Sequence, residues 1–156
     1  MPQLVKGGKY VFGWTLVGAT GRVRIPPEAL GEYGLRESEK LIVMPGSRTS
    51  GGFILGSQEK LRHSPIGGVL GARPELSAGR VGEGTIVEFK GKPFAWARLR
   101  RGWIALPSET LARYGVRPGD RLMAVRGSGL AVSLIVWGPI VAYARTHSGL
   151  KAFGET

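Results

Sequence analysis

Gly21-Arg-Val-Arg-Ile-Pro26 runs into Pro27-Glu-Ala-Leu30, Tyr33-Gly34-Leu35-Arg36 and Lys40-Leu41. The pattern returns 81 residues later as Gly102-Trp-Ile-Ala-Leu-Pro107, Ser108-Glu-Thr-Leu111, Tyr114-Gly115-Val116-Arg117 and Arg121-Leu122. The offset carries on to Gly46-Ser47 and Gly127-Ser128. Upstream, Phe12-Gly13-Trp14 answers Phe94-Ala95-Trp96 with a slip of one residue, and Val5-Lys6-Gly7-Gly8-Lys9 answers Phe89-Lys90-Gly91-Lys92. So many identities in register mark an internal duplication.

Each copy reads as the same small unit. Lys90-Gly91-Lys92 is a tight turn between two strands, 85–89 and 94–99. A strand with period-two alternation follows. In copy one Val23 and Ile25 face one side, and Arg22 and Arg24 the other; in copy two Ile104 and Leu106 take the apolar side. A proline then opens a short helix, where its missing N–H costs nothing. Leu30 and Tyr33 share one face of that helix, as do Leu111 and Tyr114. Gly34 and Gly115 stand where a left-handed cap belongs. Two strands close the unit, giving the order β-β-α-β-β, twice. Residues 1–55 form copy one and 85–136 copy two. Residues 56–84, rich in Gly, Pro and Ser, read as a linker with one short helix at 57–61, and 137–156 as a tail with helical spacing. One unit is too small to bury its apolar faces alone, so the copies are expected to share a core.

Composition narrows the function. The chain of 156 residues is 42% hydrophobic, enough for a core, and its 26 glycines favour turns and short strands over long helices. With no cysteine, disulfides and thiolate metal sites are excluded. The longest apolar stretch, 130–143, is broken by Ser133, Gly138 and Pro139 and falls short of the roughly 18 residues of a membrane span. A soluble cytoplasmic protein that does not enter membranes is expected. The net charge of +11 and pI near 10.7 favour a polyanionic partner. The charge is uneven: residues 86–126 hold nine basic and three acidic side chains, against seven and four in 3–48.

The string Gly-Arg-Val-Arg-Ile-Pro, a short helix, Tyr-Gly-Leu-Arg and a strand resembles the AbrB/SpoVT/MazE swapped-hairpin superfamily, and copy two fits the same pattern. The resemblance covers about 8–55 and 90–135. It implies a mainly β fold with short helices, in which two β-β-α-β-β modules interleave their hairpins into an intrachain pseudo-dimeric barrel. It also implies binding of duplex DNA, as a transcriptional regulator or as the antitoxin of a toxin pair, through arginines on and near the first strands. Arg22 and Arg24 occupy those basic positions in copy one. Copy two departs, with Trp103 and Ala105 there, but carries Arg98, Arg100 and Arg101 just upstream. These five arginines are the expected DNA-facing set, with Lys9 and Lys92 at the hairpin tips reaching phosphates. Because the copies differ, a palindromic site does not follow. Whether one chain is a complete pseudo-dimer or assembles into a homo-oligomer stays open.

Two loops offer another chemistry. Gly46-Ser47-Arg48-Thr49-Ser50-Gly51-Gly52 and Arg126-Gly127-Ser128-Gly129 each combine successive backbone N–H groups with an arginine, a pattern able to nest an anion. The bland alternative is a turn. Neither loop ends in the Gly-Lys-Ser/Thr of a phosphate-binding loop. Trp14 and Trp96 read as packing residues. No catalytic set emerges: Asp120 is the sole aspartate, and His63 and His147 lack metal-ligand spacing. A binding protein, needing neither metal nor cofactor, is therefore expected. Besides the DNA-binding regulator, two readings stand: a small-molecule or anion-binding scaffold that kept the barrel, and a toxin-binding antitoxin, against which the apolar, near-neutral 139–156 tail counts.

Overall fold

Alternation and turn chemistry lay out eleven strands and six short helices in the computed structural model, which describes residues 5–6, 9–64, 67–126, 130–146 and 150–154. The first half runs β1 (Val5–Lys6), β2 (Lys9–Leu16), β3 (Arg22–Arg24), α1 (Pro27–Tyr33), β4 (Lys40–Pro45) and β5 (Phe53–Ser57). The second runs β6 (Val87–Phe89), β7 (Lys92–Arg98), β8 (Trp103–Ala105), α5 (Ser108–Arg113), β9 (Arg121–Arg126) and β10 (Ala131–Ile135). Between them lie α2 (Gln58–Arg62), α3 (Gly67–Ala72) and α4 (Pro74–Ser77); α6 (Pro139–Ala144) and β11 (Ala152–Gly154) follow.

The strands of one half pair with those of the other. β2 lies against β9 and β7 against β4; β3 pairs β8, and β5 pairs β10. The registers also correspond. Trp14 faces Met123 where Trp96 faces Ile42, and Leu16 faces Arg121 where Arg98 faces Lys40. Loop hydrogen bonds repeat the relation: Val17 N–H donates to the Asp120 carbonyl at 2.8 Å, and Leu99 N–H to that of Glu39 at 2.9 Å. The main sheet runs β1-β2-β9-β10-β5-β4-β7-β6, with β11 added parallel to β2, so it is mixed. The expected closed barrel is not formed. The sheet stays open, because β6 ends it on one side and β1 and β11 flank β2 on the other.

Several of its strands are buried on both faces, β4 and β9 among them. Leu41 and Val43 point into the central core, while Ile42 and Met44 point the other way. Leu122 and Ala124 likewise face the central core, opposite Met123 and Val125. The central core is roofed by the β3–β8 ribbon and by α1 and α5. The segment read as a linker covers the outer face instead. It holds three short helices rather than one, and Leu61, Val69, Leu70 and Leu76 pack beneath Trp96. In the tail α6 places Val141 and Ala144 over Trp14. Trp14 and Trp96 therefore anchor two separate outer clusters. Cations lie over both rings: Arg121 over Trp14 at 4.6 Å, and Lys40 and Arg98 over Trp96 at 5.7 Å each. Among the described residues, no helix is long and apolar enough to cross a membrane.

Tyr33 and Tyr114 close the core from the two helices. Burial, helped by the Glu32 charge and opposed by Arg126, pushes the Tyr33 phenol up to about 12. Burial raises Tyr114 still further. A folded-state pKa above the unfolded value near 10 contributes stability that is complete below pH 10 and is lost as pH rises toward 12. In an alkaline titration, both phenols should stay un-ionised to about pH 11 and ionise together with loss of near-UV circular dichroism. Full tyrosinate absorbance at 295 nm by pH 11, with an intact spectrum, contradicts this.

Candidate nucleic-acid interface

The hairpin joining β7 to β8 is a two-residue turn. Arg100 and Trp103 exchange two backbone hydrogen bonds of 2.9 Å, and Arg101 and Gly102 both have positive φ, 54° and 85°. That is the primed turn that suits strand twist. Arginine in the left-handed region costs about 1 kcal/mol or more. The Arg101 amide N–H donates to a Glu37 carboxylate oxygen at 2.7 Å, which helps hold the turn. The chain leaving α1 comes alongside: Ser38 N–H donates to the Leu99 carbonyl, and the Arg98 guanidinium donates to the Ser38 carbonyl at 2.6 Å.

The β3–β8 ribbon supplies the rest. Val23 and Ile104 point inward; Arg22, Arg24, Trp103 and Ala105 point outward. The Arg22 guanidinium lies 4.3 Å from the Trp103 ring centroid, and that of Arg24 lies 5.9 Å away. Arg22, Arg98, Arg100, Arg101 and Trp103, with Glu37 and Ser38, line one open cavity of about 660 Å³. Arg24 borders it, its Nε 3.1 Å from where a Cβ on Gly102 would stand. That Nε is buried with no hydrogen-bond partner among the described residues.

Carboxylates already engage part of this groove. Glu83, from the segment before β6, accepts from both Arg100 guanidinium nitrogens at 3.0 and 2.9 Å and from the Arg98 amide at 2.7 Å. Burial pushes the Glu83 carboxyl up, but these hydrogen bonds and the two arginine charges outweigh it and hold it below the ordinary glutamate value. The bidentate pair fixes Arg100 in direction.

The five expected arginines thus come together at one end of the ribbon. Lys92 does not join them. It is exposed and lies six strand residues from Arg98, about 20 Å at strand rise. Lys9 begins β2, and its side chain lies outside the described residues. Sequence reasoning missed Trp103, whose outward position follows from the alternation of β8, and Glu37 and Glu83, which no local pattern signals.

The Gly-Ser loops lie elsewhere. The 46–52 loop follows β4, at the end opposite Lys40 and Arg98, and is tied by its own backbone. Gly51 N–H donates to Ser47, Gly52 N–H to Tyr114, and the Ser50 carbonyl accepts from both Val136 and Trp137. The half-exposed Trp137 packs on Gly51 and Gly115. Arg48 and Ser47 border a cavity of about 370 Å³ beside Trp137, shared with Arg113, which is ion-paired to Glu88 at 2.8 Å. Arg126 makes a bidentate pair with Glu32 at 2.5 and 2.6 Å, as Arg100 does with Glu83, and lies away from the arginine groove. Gly127 and Ser128 lie outside the described residues. Among the described residues no cluster of His, Asp or Glu could hold a metal ion. The chain matches no family model, no curated protein and no solved structure.

Proposed function

We propose that this chain is a duplex-DNA-binding regulator of transcription of the AbrB/SpoVT kind, built from two swapped-hairpin modules in one chain. It acts in the cytoplasm by binding rather than by catalysis. The exchange of strand partners between the halves supports the module assignment: β2 with β9, β7 with β4, β3 with β8 and β5 with β10. The observation that carries the functional reading is the convergence of Arg22, Arg98, Arg100 and Arg101 on one open groove beside Trp103, with Arg24 at its border. Guanidinium groups at strand ends and turns suit phosphate oxygens, and counterion release supplies affinity.

Fluorescence anisotropy with mixed-sequence duplex DNA, from about 50 to 300 mM salt, tests this. Wild type should show a log–log salt slope near −4, as expected for about four phosphate contacts. Arg98→Ala/Arg100→Ala/Arg101→Ala should flatten the slope by about 3 and weaken binding at low salt by about a hundredfold. Absence of binding by folded wild type at the lowest salt sinks the reading. The cavity between Arg48 and Trp137 favours a second one, an anion-binding scaffold. Phosphate or a nucleotide quenching Trp137 fluorescence in the absence of DNA binding would support it.

A further inference from the structure

The groove has no counterpart at the other end of the ribbon. Exchanging the halves carries Arg98 onto Leu16, since Arg98 faces Lys40 where Leu16 faces Arg121. It carries Arg100 onto Gly18: Arg100 N–H donates to the Trp103 carbonyl where Gly18 N–H donates to that of Arg22. Arg101 falls on the Ala19–Thr20 turn, and Arg24 on Ala105. The equivalent end is therefore uncharged where the groove is basic.

The copy-one arginines widen the difference. Arg22 stands at the Ala105 end of the ladder, yet its guanidinium reaches across to Trp103. Arg24 leans on the same ring, with its buried Nε unpartnered among the described residues. Among the described residues, the cations near the far side include Arg117, at an exposed turn, Arg121, stacked on Trp14, and the exposed Lys151, whose carbonyl accepts from the Trp14 N–H at 2.8 Å. A molecule whose pairing is close to two-fold thus presents a basic surface that is not.

We infer that one chain contacts duplex DNA through this single basic end, so that its target is a site without dyad symmetry. The inference rests on the DNA-binding reading and specifies its substrate. Two equal half-sites give a palindrome only when both ends of the protein make the same contacts. Here one end carries the phosphate-binding groups and the other does not, so a second, inverted half-site adds no contact.

The test pairs selection with two charge-matched variants. Selection from a random duplex library should enrich a motif lacking dyad symmetry, bound by one chain. Arg100→Ala/Arg101→Ala and Arg117→Ala/Arg121→Ala each remove two positive charges, so the change in the overall field is equal. The first should weaken duplex binding more than about tenfold and flatten the salt slope by about 2; the second should change affinity by less than about threefold. An enriched inverted repeat overturns the inference, as do equal losses from the two variants. Where binding occurs without an enriched motif, the variants decide alone. Should wild type fail to bind any duplex at low salt, the underlying DNA reading falls, a result distinct from binding at both ends. Far-UV circular dichroism of each variant separates loss of contact from loss of fold.

Discussion

Alanine at Gly21 is expected to destabilise the protein by about 3–5 kcal/mol, whereas alanine at Gly102, the same place in the other half, should cost about 1–2 kcal/mol. Both glycines have positive φ, 81° and 85°, and this sets a common penalty for any side chain. Their surroundings differ. A Cβ on Gly21 would run into the Leu106 carbonyl oxygen. That carbonyl belongs to the backbone of the β3–β8 ribbon, where Leu106 N–H donates to the Gly21 carbonyl at 3.1 Å, so relief requires the ribbon to shift. A Cβ on Gly102 would meet the Arg24 side chain, Nε at 3.1 Å and the guanidinium carbon at 3.5 Å, and a flexible side chain can swing aside. Thermal unfolding should show Gly21→Ala lowered by about 10 °C and Gly102→Ala by about 5 °C or less. Equal losses would mean that the two turns are equivalent in packing as well as in sequence position.

Phe53→Ala should cost about 3–5 kcal/mol, the range for a large aromatic removed from a closed core. Phe53 is fully buried in β5 and sits 5.8 Å, centroid to centroid, from Tyr114 of the second half. It also faces Leu134 across the β5–β10 pair. The cavity is therefore lined by both halves, and neither can collapse into it without moving the other. Near-UV and far-UV circular dichroism should report one coincident transition, shifted down by about 10 °C or more. Two separate transitions, with only one moved by the substitution, would contradict a shared core.

The 90–92 turn and the helix starts at Pro27 and Ser108 were legible because each depends on neighbours in sequence, whereas the expected order β-β-α-β-β was one strand short, since each half sets three strands before its helix. Alternation also turned Arg22 and Arg24 outward, as observed. The outer layers were less legible. Leu41-Ile42-Val43-Met44 and Leu122-Met123-Ala124-Val125 are continuous apolar runs, which signal strands buried on both faces. Something had to cover them, and that need identifies 56–84 and the tail as packing layers rather than spacers. Periodicity does not say which segment does the covering. Nor does it say whether a sheet of these strands closes, since closure depends on tilt and stagger summed over all of them. The groove was legible in its arginines and hidden in its details. The reach of Arg22 across to Trp103 and the arrival of Glu83 from a loop are set by tertiary approach, not by spacing.

The partner exchange between halves also governs how the chain comes into being. β2 and its neighbour β9 lie roughly 110 residues apart along the chain, and β4 waits for β7. On a ribosome adding about 5–20 residues per second, the apolar strands of the first half emerge several seconds before their partners exist. Local pairs such as β4 with β5 can form early, but completing the sheet is slow, since long loops must close before β2 meets β9 and β4 meets β7. Until residues 92–135 are delivered, β2 and β4 of the first half each keep one edge without its final partner, the kind of exposed edge that favours aggregation.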